Sequence, residues 1–164
     1  MLSKRCVPVV VALAITAAAL GGAAQARGGS STAALSKTYV LKATLDTRHE
    51  VPAPKNASGA RGVFTAKLTV AGKKSSFVWQ LSFKNLSGRA TAAHVHFGVV
   101  GKAGPVVLPL CGPCLVGAHG SYNGAYVATA TFLKAILHGG AYANVHTKKN
   151  PRGEIRGQIK VTAA

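Results

Sequence analysis

Three histidines carry the chemistry most open to this chain. His94-Val95-His96 places two imidazoles two residues apart. In a β-strand that spacing puts both on one face, roughly 7 Å apart along it. His146 follows Ala141 in a second alternating stretch, on the face it shares with Tyr142 and Asn144. If Val95 and Phe97 in one strand and Ala143 and Val145 in the other point to the core, all three histidines face outward together. If the two strands also lie near each other, three neutral imidazoles can converge on one ion. Such a set with an open position suits zinc or copper. Glu154 is the only acid in the C-terminal half, and it is read as an outer partner that could orient a ligand. His49 and His119 lie in expected loops, and either could add a fourth ligand. The competing reading is a polar pair on a strand that hydrogen-bonds a neighbouring loop. His138 reads as a favourable charge near a helix C-terminus.

Cys111-Gly112-Pro113-Cys114 has the spacing of a thioredoxin-type redox tetrad. Its context does not fit, because the following Leu115-Val116-Gly117-Ala118-His119-Gly120 is too glycine-rich for the helix that would lower a thiol pKa. The favoured reading is a structural disulfide closing a small loop.

In Asn150-Pro151-Arg152-Gly153-Glu154-Ile155-Arg156-Gly157-Gln158, proline and glycine make a turn. Glu154 and Arg156 then share a strand face and are expected to form a structural ion pair that sets register. No G-x-S-x-G or P-loop motif is present. Asp46, Glu50 and Glu154 are the only acids, so a carboxylate pair for glycoside hydrolysis and a calcium site are both disfavoured.

The elements that must position these groups read as strands. Tyr39, Leu41, Ala43 and Leu45 share one face of a first strand. Phe64, Ala66, Leu68 and Val70 mark a second, and Phe77, Trp79, Leu81 and Phe83 a third, joined through Ala71-Gly72-Lys73-Lys74 as a hairpin. Further strands are expected at 90–98, 106–110, 122–130, 141–147 and 155–161. Thr131 is expected to cap a short helix over 132–138, closed by Gly139-Gly140. This pattern is all-β: an antiparallel sandwich or barrel of about eight strands with one short helix. No βαβ alternation is visible.

Residues 1–26 read as an export leader. Lys4 and Arg5 precede an apolar run, Val7 to Leu20, and Ala24-Gln25-Ala26 gives a cleavage site. The run is shorter than the roughly 20 residues of a membrane span, and no later segment approaches that length. Residues 27–37 read as a flexible lead and 38–162 as the single domain. Losing the leader takes the formal charge from +17 to +15. That balance favours polyanions and acidic surfaces. The basic residues are scattered, with no basic helix or aromatic stripe, which argues against a specific nucleic-acid site. The expected partners are an extracellular protein or an anionic surface polymer.

In order along the chain, Leu41-Lys42-Ala43-Thr44-Leu45 with Glu50-Val51-Pro52, Ala92-Ala93-His94-Val95-His96, Gly139 to Thr147, and Asn150 to Ile159 resemble the CHRD (chordin-type) domain. The resemblance spans residues 38–162 and implies an immunoglobulin-like or Greek-key β-sandwich or barrel. In chordin such modules belong to an extracellular protein that binds growth factors. The Cys111–Cys114 insertion is not part of the core pattern. A looser likeness, His94-Val95-His96-Phe97-Gly98 with a later His146, is to the copper-ligand strand of Cu/Zn superoxide dismutases. It lacks their histidine-rich zinc loop and a full copper-ligand set.

The leading reading is a non-enzymatic binding or structural domain outside the cytoplasm. The alternative is a copper- or zinc-binding protein using His94, His96 and His146, with dismutase-like activity as its extreme form. A thiol oxidoreductase at Cys111 and Cys114 is a third.

Overall fold

A computed structural model describes residues 35–57 and 59–164, so the expected export leader lies outside the described residues. The strands are β1 (Ser36–Asp46), β2 (Arg61–Ala71), β3 (Lys74–Lys84), β4 (Ala90–Phe97), β5 (Val106–Cys111), β6 (Gly120–Tyr126), β7 (Ala141–Thr147), β8 (Ile155–Gln158) and β9 (Lys160–Ala163). One helix, α1 (Ala130–Leu137), and a 3-10 turn (Thr47–His49) complete the set. All the pairings are antiparallel. The strand order is β5-β4-β7-β8-β1-β2-β3-β6, with β9 paired to β1. The sheet rolls into a nearly closed barrel in which β5 and β6 approach each other.

The alternating side chains explain the roll. Leu41, Ala43 and Leu45 of β1, Phe64 and Leu68 of β2, and Phe77 and Leu81 of β3 are buried on the inner face. Ala93 and Val95 of β4 and Ala143 and Val145 of β7 join them. A sheet with one continuous apolar face removes it from water by curling on itself. Phe132 of α1 meets the rings of Phe77 and Tyr126 at 5.0 and 5.1 Å.

Three local expectations are corrected. Helix α1 starts earlier, capped by Thr129 rather than Thr131: the Thr129 hydroxyl oxygen accepts the Phe132 N–H at 3.2 Å. Accordingly β6 ends at Tyr126. The last expected strand divides at Ile159, whose side chain is buried and whose N–H donates to the Ala141 carbonyl at 3.0 Å. Finally, β1 reaches back to Ser36, so Ser36 and Lys37 of the expected lead pair with Ala71 and Val70. Among the described residues no helix is long and apolar enough to cross a membrane.

Candidate metal centre

β4 and β7 are adjacent, and their register brings the histidines together. His94 faces Asn144, His96 faces Tyr142 and Ala92 faces His146. Because Ala93, Val95, Ala143 and Val145 fill the core, the histidines stand on the outer face of the barrel wall, as the alternation requires. They are not free surface groups. His96 and His146 are 8% and 9% exposed, because the segments after β4 and after β7 fold over them.

The ring nitrogens converge. One nitrogen from each of His94, His96 and His146 lies within 4.8 Å of the other two. His94 Nδ1 stands 3.1 Å from His146 Nε2. His96 Nδ1 donates to the Gly104 carbonyl at 2.9 Å, and His146 Nδ1 donates to the Pro151 carbonyl at 3.1 Å. These bonds put the proton of each neutral ring on Nδ1 and leave Nε2 as an acceptor: that of His146 faces His94 Nδ1, and that of His96 has no partner of good geometry among the described residues. An outer carbonyl that sets the tautomer is the usual companion of a ligating histidine. That His96 nitrogen is buried, with the Asn144 side chain beside it, and a buried polar atom of that kind calls for an explanation.

The fit to an ion can be judged from distances. Bonds of about 2.0–2.1 Å to zinc require ligand nitrogens roughly 3.3 Å apart in a tetrahedral set. The His94–His146 pair already meets this. The widest separation, 4.8 Å, must close by over an ångström for such a set. The site therefore fits an ion after a small movement of one ring, with His94 shifting its proton to Nε2.

Electrostatics favour the ligating form. Burial, helped by the neighbouring His94 and His96 and opposed by the bond to Pro151, pushes the His146 imidazole down to about 4. Burial also lowers His94 and His96. Neutral imidazole is the form that binds metal.

The remaining expected residues have other roles. Glu154 does not touch a histidine and makes no ion pair with Arg156. Its carboxylate accepts from the Ser87 N–H at 2.5 Å, the Ser87 hydroxyl at 2.6 Å, the Thr147 hydroxyl at 2.6 Å and the Asn150 amide at 3.0 Å. Burial pushes this carboxyl up, but those hydrogen bonds outweigh it and hold it below its ordinary range. The reason for the correction is geometric: Glu154 precedes β8 rather than lying in it, so it does not share a strand face with Arg156. His49 Nδ1 pairs with Asp46 at 2.7 Å and His119 Nδ1 accepts the Asn85 N–H, so neither joins the trio.

Arg156 instead braces the segment that covers His96. It donates to the Val99 and Lys102 carbonyls at 2.9 and 2.8 Å. Its guanidinium carbon lies 3.4 Å from the Tyr142 ring centre, and the other ring partner of Tyr142 is His96, parallel within 6° at 4.9 Å. Gln158 Nε2 donates to the Gly98, Gly139 and Ala141 carbonyls. Glu50 is buried beneath Gly153, whose backbone sits at φ +129°; a Cβ there would overlap the Glu50 carboxylate. Burial raises Glu50 to about 7 against the opposing Val51 N–H and the Arg156 charge. Asn144 faces both Glu50 and His96.

Cys111 and Cys114 form a disulfide with Cα atoms 5.1 Å apart. Both are buried, and no helix starts there, so the requirements of a redox tetrad are not met.

No curated protein and no solved structure matches the chain. A protein-family comparison matches residues 41–159 to the CHRD domain. That match includes all three converging histidines, both cysteines, Glu50 and the Arg156 brace. The chain belongs to the CHRD domain family.

Proposed function

We propose that this CHRD-family chain is an exported binding module that holds one copper or zinc ion through His94, His96 and His146. One observation carries the reading: three imidazole nitrogens from two strands lie within 4.8 Å of one another, and His96 Nε2 is buried without a partner of good geometry among the described residues. The second observation that favours it is the pair of carbonyls, Gly104 and Pro151, that already set two tautomers for ligation. In this reading the ion would add a fixed positive charge and an open coordination position. The protein's own residues set the ring orientations, through Gly104, Pro151 and the Tyr142–Arg156 stack. The proposed role is binding, the kind of role that the CHRD family supports. An acidic protein or polymer outside the cell is the partner suited to the basic surface.

The test is elemental analysis of the protein purified without a histidine tag. About one ion per chain is expected, and a His94→Ala/His96→Ala/His146→Ala variant that still folds should hold none. Wild-type protein that takes up no copper or zinc on titration, with unchanged histidine resonances, would end the proposal.

A further inference from the structure

A second site lies on the barrel wall away from the histidine trio. Between β1, β9, the 3-10 turn and the segment after β4 is a hollow of about 430 Å³, lined among others by Lys42, Lys160, His49, Thr44, Thr162 and Val100. Its size falls in the usual range for small-ligand sites. Lys42 and Lys160 are register partners on β1 and β9, and both are exposed. Like charges directly opposite each other across a ladder are destabilising. No acid lines the hollow.

No acidic side chain is free to offset this repulsion. Two of its three acids are buried: Glu50 beside Gly153, and Glu154 within its own hydrogen bonds. The third, Asp46, is held by Arg48 at 2.8 Å and by His49 at 2.7 Å. Outside the hollow the next exposed charge on β2, Lys67, is again positive and lies opposite Val40 of β1. The lysine pair is therefore open to a counter-charge from another molecule.

We infer that the Lys42–Lys160 hollow binds an oxyanion group of a linear polyanion. Two lysines supply point charges with rotatable donors rather than the planar fork of arginine. They therefore accept phosphate or carboxylate oxygens without demanding a bidentate geometry. Val100, 69% exposed at the rim, gives the polymer backbone an apolar contact. The inference rests on the binding role proposed above and is independent of the metal.

The experiment measures binding of polyphosphate and of polygalacturonate to the purified chain at two salt concentrations. A Lys42→Gln/Lys160→Gln variant is compared with Lys73→Gln/Lys74→Gln, which removes the same charge from the β2–β3 turn. The hollow predicts that the first variant weakens binding about tenfold or more and lowers the salt slope by about two, while the second weakens it less than about threefold. Preference for polyphosphate assigns phosphate, and preference for polygalacturonate assigns carboxylate. The first variant should also melt no lower than wild type, because it relieves a repulsion. Equal loss in the two variants would make the attraction diffuse and overturn the inference, as would wild-type protein that binds neither polymer. Metal content is read on the same samples, so failure here is distinct from failure of the histidine centre.

Discussion

His94 Nδ1 lies 3.1 Å from His146 Nε2 across 52 residues of chain. A single proton can hold that contact in the metal-free protein, with His94 donating. An ion has to displace that proton while the other two rings keep theirs on Nδ1. Metal uptake as proposed would thus be coupled to one tautomer change.

Metal affinity should therefore resist acid more than ordinary imidazole ligands do. Protons compete with a metal only near and below a ligand's own pKa. With His146 held near 4 and His94 and His96 lowered in the same direction, affinity should change little from pH 8 to about 6 and fall steeply below about 5. A chelator-competition titration across that range is the check. A midpoint of loss near 6.5 would show that the rings titrate as if exposed.

Glu50 and His146 pull acid stability in opposite directions in the metal-free protein. His146 is near 4 when folded, against 6.5 in its ordinary state, so between those values the unfolded chain binds more protons and stability falls on acidification. Glu50 is near 7 when folded, against 4.5, so there the folded chain binds more protons and stability falls as pH rises from 4.5 to 7. The two slopes oppose between about 4.5 and 6.5. Glu50→Gln removes one of them and should steepen the loss on acidification, by up to about 1.4 kcal/mol per pH unit. Urea unfolding at pH 4.5, 5.5 and 6.5 measures this; parallel curves for variant and wild type would contradict it.

Glu154 should matter for folding and not for the metal. Four donors converge on its buried carboxylate. Glu154→Ala strands them and is expected to cost about 3–5 kcal/mol in chemical denaturation. Variant protein that folds should still take up metal. A variant of wild-type stability that loses metal would return Glu154 to the ligand shell.

The disulfide should be structural. Cys111→Ala/Cys114→Ala opens a loop of sequence separation 3 and is expected to lower stability by about 2 kcal/mol. Insulin-reduction assays should show no activity from the wild-type chain. Turnover lost in the variant would revive the redox reading.

Much of this protein was legible from residue order. The period of two in β1, β2, β3, β4 and β7 predicts both the strands and the inner face, because a curled antiparallel sheet buries every second side chain. That periodicity also put His94, His96 and His146 on one side of the wall, and the spacing of Cys111 and Cys114 in a short loop was enough to pair them. The helix start was less legible: Thr129 and Thr131 are equally good caps by type, and it is Thr129 that takes the Phe132 N–H in the fold, with the Phe132 ring against Phe77.

Tertiary structure alone decided what surrounds the histidines. Arg156 meets the Val99 carbonyl 57 residues away, Glu154 meets Ser87 67 residues away, and the Asn150 side chain meets the Lys55 backbone 95 residues away. No local pattern encodes such pairings, because a hydrogen bond depends on where two loops cross rather than on their neighbours in sequence. So residue types and alternation determined the candidate ligands and their face, while the folding of distant loops over that face determined their burial, their tautomers and the separation of Glu154 from Arg156.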